Sequence, residues 1–168
     1  MHGQPTQTTT FTYTPIGTIN SPYEDLSGMP IQPTGARGVR STIDIFPEYR
    51  DGLRDLAGFS RIILVFAFHK STEYKLVVKP FLDDTQRGVF ATRAPKRPNA
   101  IGLSIVRLTG MHECTLDIED VDVLDGTPIL DIKPYVPEFD AYPDAASGWL
   151  EHVAHNAESI RSDKRFRS

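Results

Sequence analysis

Cysteine is nearly absent from this sequence, since Cys114 is the only one among 168 residues. A single thiol cannot form an intrachain disulfide, which excludes the disulfide-stapled class of small secreted domains. The longest apolar run, Ile62–Phe68, is far shorter than the roughly 20 residues of a membrane-spanning helix. The first ten residues lack the basic cluster and the apolar stretch of a signal peptide. These absences predict a cytoplasmic protein outside the membrane, with residues 1–10 as a disordered segment.

Proline and glycine are abundant, with 13 and 12 residues, and they favour short strands joined by turns over a helix bundle. The apolar pattern predicts strands over Phe11–Ile19, Ser41–Phe46, Ile62–Phe68, Tyr74–Lys79, Arg87–Ala91, Ile101–Leu108, Thr115–Leu124 and Pro128–Ile132. The continuous apolar run of the third strand predicts burial on both of its faces. Asp125-Gly126 is the dipeptide typical of a hairpin turn between the last two strands.

Helical patterns are few. A short helix is predicted within Pro47–Ala57, and the spacing of Trp149, Val153 and Ile160 predicts an amphipathic helix over Asp144–Ile160. No alternation of strands and helices supports a doubly wound sheet. The pattern therefore predicts a mainly β protein, a barrel or a sandwich, in one domain over residues 11–160 with a frayed tail at 161–168.

The densest motif is Arg87–Ser104, which combines two glycines, two prolines and four cations. Proline stiffens a loop, glycine admits a ligand to the backbone, and arginine offers a planar fork to carboxylate or phosphate. These properties predict a ligand or RNA site, although a solvated surface loop is the alternative. Arg97 stands between Pro95 and Pro98, and we expect its side chain to project toward a bulky anion.

Other sites are less marked. Asp131, Lys133 and Tyr135 alternate along an extended segment and so share a face. His69 follows the buried strand, where a satisfied core histidine is the alternative to a functional one. The remaining His and Cys residues are scattered, without the paired short spacings of a zinc site, so no metal is predicted. Neither a Walker loop nor a Gly-x-Gly-x-x-Gly fingerprint is present.

Several separated blocks resemble the TsaA-like family of S-adenosylmethionine-dependent tRNA methyltransferases. The blocks are Ile16–Tyr23, Gln32-Pro33, Leu56–Ser60, Phe68-His69, Arg87–Ser104, Asp125–Tyr135 and Gly148-Trp149. One departure is Ala100, where the family usually has proline. The resemblance implies a small antiparallel β-barrel with a short helix and a C-terminal amphipathic helix, and a homodimer. It also implies N6-methylation of threonylcarbamoyl-adenosine at position 37, in the anticodon loop of threonine-accepting tRNA.

The same resemblance implies roles for individual residues. The cofactor site carried over by motif comprises Gln32, Pro33, Thr34, His69, Lys70, Arg93, Leu103, Asp122, Val123, Leu124 and Asp125. Arg87, Lys96, Arg97, Asn99 and Lys133 are left to hold RNA phosphate or the threonyl carboxylate. A general base is plausible, and its candidates are Asp125, His69 and Tyr135. The alternative is an S-adenosylmethionine-binding protein of the same fold with another substrate or a non-catalytic regulatory role.

Overall fold

The computed structural model describes residues 9–163 and contains a closed antiparallel barrel of six strands. The strands of this part of the chain are β1 (Gly17–Asn20), β2 (Arg40–Ile45), β3 (Arg61–Ala67), β4 (Val77–Val78), β5 (Arg87–Gly88), β6 (Ile101–His112), β7 (Thr115–Glu119) and β8 (Pro128–Pro134). Around the barrel the order is β1, β2, β7, β6, β3, β8 and back to β1. Closure removes the free sheet edges, so the backbone N–H and C=O groups of the six strands pair internally. The predicted mainly β barrel is confirmed.

The core fills the inside of the barrel. Strand β3 alternates, with Ile62, Leu64 and Phe66 buried and the residues between them only half-buried. Successive side chains of a strand point to opposite faces, so Ile63 and Val65 lie on the outer wall. The prediction that this strand is buried on both faces was therefore wrong, because a barrel wall has one interior face and the outward side chains of β3 are only half-buried.

Three segments lie outside the barrel and shape its surroundings. Residues 70–97, here called the arm, contain the two-stranded sheet of β4 and β5. Residues 26–37, here called the loop, contain the 3₁₀ helix Pro33–Ala36. Residues 148–162, here called the strap, contain the 3₁₀ helices Gly148–Leu150 and Ala154–Glu158. The helix α1 (Pro137–Asp140) is a single turn between β8 and the strap.

The amphipathic helix predicted over Asp144–Ile160 is wrong. Gly148 has a φ of +57°, and the following N–H groups bond three residues back rather than four, as Val153 does to Leu150. The segment is held by contacts with the arm instead, since Nε1 of Trp149 donates a hydrogen bond to the carbonyl of Ala91. The helix predicted within Pro47–Ala57 is present as two 3₁₀ helices, Pro47–Leu53 and Leu56–Gly58.

Asp125-Gly126 forms a turn but not a hairpin. Strand β7 pairs with β2 and β6, whereas β8 pairs with β1 and β3. Gly126 has a φ of +72°, the left-handed conformation that glycine supplies without strain. The dipeptide thus determined the backbone conformation of the turn, while the pairing of β7 and β8 with other strands was determined by closure of the barrel.

The frayed tail predicted for residues 161–168 lies mostly beyond the described residues. Its first residue, Arg161, forms an isolated β-bridge with Pro30.

Candidate active site

A cleft of about 1240 Å³ opens beside the barrel, between the loop, the arm, the strap and the strands β3 and β6. Each of these parts contributes side chains to the lining, among them Gln32, Arg93, Trp149, Phe66 and Leu103. The segment after β7 contributes Asp122 to Leu124. The cleft exceeds the roughly 300–1,000 Å³ of a typical small-molecule pocket, so it has room for a cofactor together with part of a second molecule.

Asp122 supplies a carboxylate to the cleft. Its Oδ1 accepts a hydrogen bond of 2.6 Å from the buried hydroxyl of Ser104 on β6. Burial raises the pKa of Asp122 from 3.8 to about 6, and the Ser104 hydrogen bond and the positive charge of Arg93 only partly oppose this rise. A desolvated carboxylate with too little compensating charge is a site that a bound cation stabilises.

His69 lies at the mouth of the cleft, directly after β3. Its Nδ1 is 3.3 Å from the hydroxyl of Thr127, which precedes β8. Burial lowers the pKa of His69, and the neighbouring charge of Lys70 lowers it further. His69 is therefore neutral at physiological pH, and a neutral imidazole can accept a proton.

Arg93 joins the arm to the loop across the cleft. Its Nη1 donates a hydrogen bond of 3.1 Å to Oε1 of Gln32. The arm is held in shape by Arg97, whose Nη1 donates to the carbonyls of Thr92 at 2.8 Å, Val89 at 3.2 Å and Ala94 at 3.4 Å. These three carbonyls bracket Arg93, so the guanidinium of Arg97 fixes the turn from which Arg93 reaches the loop.

The strap closes the remaining side. Ser162 donates from its hydroxyl to the carbonyl of Leu26 at 2.5 Å, and its Oγ accepts the N–H of Met29 at 2.9 Å. At the other end of the strap, Nε1 of Trp149 donates to the carbonyl of Ala91 at 2.8 Å. The strap therefore ties the loop and the arm to each other and completes the wall of the cleft.

Residues 18–141 match the family described as the tRNA-methyltransferase O N-terminal domain. The chain belongs to this family. A protein of Pyrococcus abyssi described as a probable S-adenosyl-L-methionine-binding protein is 49% identical over 154 residues, which are 92% of this chain and 84% of that protein. The tRNA (adenine(37)-N6)-methyltransferase of Escherichia coli is 34% identical over 84% of this chain and 64% of its own length.

A solved structure shows the same architecture. The crystal structure of TrmO from Pseudomonas aeruginosa superposes with a TM-score of 0.71 at 40% identity, covering 84% of this chain and 63% of that one. The TsaA-like resemblance stated from the motifs is thereby confirmed. This family member thus spans about two thirds of the named methyltransferases and most of the archaeal relative, and the strap lies beyond residue 141, where the family match ends.

Most of the expected cofactor site comes together in the cleft. Its lining contains ten of the eleven residues: Gln32, Pro33, Thr34, His69, Lys70, Arg93, Leu103, Asp122, Val123 and Leu124. Tyr135, a candidate base, also lines it. Asp125 does not: its Oδ1 accepts the N–H of Ser21 at 2.9 Å and so ties the turn before β8 to the segment that follows β1. Of the three candidate bases, His69 and Tyr135 therefore face the cleft, whereas Asp125 has a structural contact elsewhere.

The residues expected to hold RNA are mostly engaged within the chain. Nζ of the buried Lys96 lies 2.8 Å from a carboxylate oxygen of Glu73. Arg87 pairs with Asp83 and stacks on the ring of Trp149 at 5.3 Å, and Nζ of Lys133 lies 2.7 Å from Asp131. Arg97 turns inward to its three carbonyls, contrary to the expected outward projection. Asn99 is exposed and lies outside the cleft lining.

Sequence reasoning missed Ser104, Thr127 and the strap. Ser104 was part of the recognised motif, yet only the pairing of the strands shows that its hydroxyl meets Asp122. Thr127 stands two residues after Asp125, and no periodicity relates it to His69. Among the side chains described within residues 9–163, which do not include those of residues 155 and 156, no three from His, Cys, Asp or Glu are grouped closely enough to hold a metal ion. In that same range no helix has the length and apolarity to span a membrane.

Proposed function

We propose that this protein binds S-adenosylmethionine in the cleft and transfers its methyl group to N6 of adenosine 37 of a tRNA. The single observation that carries the proposal is the desolvated carboxylate of Asp122 in a cleft of a chain that belongs to the tRNA-methyltransferase O family. Relatives are named as S-adenosylmethionine-binding proteins and as tRNA (adenine(37)-N6)-methyltransferases. Both names are compatible with a cleft that binds the positively charged S-adenosylmethionine beside part of a tRNA.

The chemistry of the cleft suits this cofactor. When bound, S-adenosylmethionine supplies an electrophilic methyl group on a positively charged sulfonium. The carboxylate of Asp122 would offset positive charge on the sulfonium or the α-amino group, and Arg93 would hold the carboxylate of the amino-acid moiety. Apolar side chains such as Leu103 and Leu124, both in the lining, offer a surface for the adenine and exclude water from it.

Residues of the cleft could also remove a proton from the nitrogen that accepts the methyl group. The proposed target nitrogen carries a carbamoyl group, which draws electron density from its lone pair, so removal of its proton assists attack. His69 is neutral and lines the cleft, and Thr127 orients its ring. We assign it the role of proton acceptor, with Tyr135 as the alternative that also lines the cleft.

A second candidate function is cofactor binding without methyl transfer. It is favoured by the relative that is 49% identical and is described only as a probable S-adenosyl-L-methionine-binding protein. It is also favoured by the fact that this chain spans 64% of the Escherichia coli methyltransferase. Both candidates predict the same cleft occupant and differ in whether a methyl group leaves it.

We further propose a cytoplasmic homodimer that acts on the anticodon loop of threonine-accepting tRNA. Support for a dimer comes from the outer wall of the barrel, where Leu103 and Ile101 are 49% and 39% exposed. They pair across the sheet with Val65 and Ala67, so an apolar row faces outward. Because Leu103 and Ile101 also line the cleft, a second subunit on this row would lie next to the bound cofactor. Covering such a row is a common reason for subunits to associate.

The test is calorimetric titration with S-adenosylmethionine followed by mass spectrometry of tRNA nucleosides after incubation with protein and cofactor. Binding together with methylated threonylcarbamoyl-adenosine is the expected result. Binding with no methylated nucleoside in any tRNA supports the non-catalytic candidate. Absence of heat and of a thermal shift at millimolar cofactor contradicts both.

A further inference from the structure

The arm carries most of the positive charge near the cleft. Residues 70–97 contain seven Lys and Arg residues against three Asp and Glu residues, while the whole chain has a net charge of −4. Each acid of the arm already has a cation beside it: Glu73 has Lys96, Asp83 has Arg87 and Asp84 has Lys79. Four cations of the arm remain, and Arg93 and Arg97 already donate to Gln32 and to backbone carbonyls, which leaves two for an anion from outside.

These two remaining cations are lysines. Within residues 9–163, Lys70 and Lys75 take part in no ion pair shorter than 4 Å, although Lys75 lies close enough to Glu73 to lower the pKa of that carboxyl. Both lysines are exposed. Lys70 lines the cleft, and the N–H of Lys75 bonds to the carbonyl of Lys96, which ties the backbone of Lys75 to the far end of the arm.

The arm also exposes aromatic and aliphatic side chains that the fold does not use. Phe90 is 75% exposed and Tyr74 is 60% exposed. Val77 on β4 and the preceding residue, Leu76, are also exposed. Phe90 stands at the mouth of the cleft. The guanidinium of Arg97 lies 5.9 Å from the centre of its ring, and the three carbonyl contacts of Arg97 hold that guanidinium in place.

We infer that the arm is an RNA-binding surface, in which the ring of Phe90 stacks on an unpaired base at the mouth of the cleft while Lys70 and Lys75 hold the adjacent phosphates. Exposed aromatic rings interleaved with cations are how proteins bind single-stranded nucleic acid, because every base has a face to stack and every nucleotide a phosphate. The inference rests on the proposed function and names the surface by which its substrate would be recognised. Charge favours RNA over a protein partner, since the arm has an excess of four positive charges.

The experiment measures binding of a labelled, unmodified tRNA transcript by fluorescence anisotropy at several salt concentrations. Phe90→Leu keeps apolar bulk but removes the ring, and we expect about tenfold weaker RNA binding, whereas Phe90→Trp should bind as well as the wild type. Lys75→Ala should reduce the slope of log affinity against log salt by about 0.7–0.9 and leave cofactor affinity unchanged, since Lys75 is not among the cleft-lining residues.

Matched controls lie elsewhere on the molecule. Phe139 is 71% exposed on α1, and Arg54 is an exposed cation in the connection between β2 and β3. Phe139→Leu and Arg54→Ala should leave both RNA affinity and its salt dependence unchanged. If the arm variants bind RNA like the wild type, or if the controls lose as much affinity, the inference is overturned.

Two further outcomes separate this inference from the proposed function. If the wild-type protein binds S-adenosylmethionine but no RNA at any salt concentration, the proposed tRNA substrate fails, and the arm surface fails with it. If the wild type methylates tRNA while Phe90→Leu and Lys75→Ala do so with unchanged KM, only the arm surface fails. A change of oligomeric mass in Phe90→Leu would show that the patch joins copies of this chain, which also overturns the inference.

Discussion

Asp122 is costly to ionise in the folded protein. Its pKa of about 6, raised by burial from 3.8, means that the folded state holds a proton more tightly than the unfolded chain. Stability therefore decreases as pH rises from about 4 to 6, and the full cost, up to about 3 kcal/mol, is present above pH 6. The cost is compatible with function, because residues placed for binding are often not those that maximise stability.

Asp122→Asn should therefore raise the melting temperature at pH 7.5, since the amide keeps an acceptor for Ser104 without the buried charge. The two proteins should converge below pH 4, where the wild-type carboxyl is protonated in both states. Calorimetry at pH 7.5 should show that the variant binds S-adenosylmethionine at least tenfold more weakly. A variant less stable than the wild type at pH 7.5 would contradict the assigned cause of the pKa shift.

Arg97 acts on the site through the backbone of the arm. Because its guanidinium donates to the carbonyls on both sides of Arg93, Arg97→Ala should release the turn that positions Arg93 against Gln32. We expect a several-fold loss of cofactor affinity, measured by calorimetry. Arg97→Lys should restore little of it, since one ammonium cannot reproduce a planar fork. Cofactor affinity unchanged in Arg97→Ala would show that the arm keeps its shape without this residue.

At the scale of elements, the loop and the strap meet at Gly35. A Cβ at this position would lie 2.9 Å from the carbonyl oxygen of Ala157 in the strap. Because this oxygen belongs to the backbone, it can move away only if the strap itself shifts. Gly35→Ala should push the strap away from the loop, cost about 1–3 kcal/mol of stability and weaken cofactor binding. The measurements are denaturant unfolding and calorimetric titration.

Gly52 provides the control for this substitution. It also lies in a 3₁₀ helix, Pro47–Leu53, but no atom lies within 4 Å of the Cβ that alanine would add. Gly52→Ala should change stability by no more than about 0.5 kcal/mol and leave cofactor affinity as it is. Equal effects of the two substitutions would mean that the contact between loop and strap does not shape the cleft.

At the scale of the whole molecule, the outer row of β3 and β6 is the surface on which the proposed dimer depends. Ile63→Glu places a charge in this row without touching the interior, since Ile63 faces outward between Ile62 and Leu64. Light scattering should give twice the 18.8 kDa chain mass for the wild type and the single mass for the variant. Phe139→Glu, on α1, should remain a dimer. A wild type that has the single mass at every concentration contradicts the dimer itself.

Much of the element content follows from local pattern. The apolar pattern located β2, β3, β6 and β8 to within a few residues, β3 from a continuous apolar run, except that β6 continues to His112. Such patterns are local, because they depend only on consecutive side chains. The pattern failed for the strap, where the apolar spacing of a helix is satisfied by contacts with the loop and the arm. Strand Phe11–Ile19 was also too long, since only Gly17–Asn20 finds partners in β2 and β8.

The residues of the candidate site likewise include some that the sequence identified and some that it did not. Motif resemblance identified ten residues that line the cleft, because the groups that touch a ligand stay together in short blocks. It misassigned the surroundings of Lys96 and Arg97, whose partners Glu73 and the carbonyl of Val89 are fixed only when the arm folds back on itself. The sequence alone does not distinguish a cation that is paired within the chain from one that can bind a ligand.

By itself the sequence determined the family, most of the strands and ten of the residues that line the cleft, because period, turn chemistry and motif are local properties. Tertiary structure alone decided that β7 and β8 do not pair across Asp125-Gly126, since closure of the barrel offers each strand better partners. It also decided that the desolvated carboxyl of Asp122 meets Ser104 while Asp125 bonds to Ser21. Burial and the identity of a distant partner depend on how the whole chain packs, and no single segment contains that information.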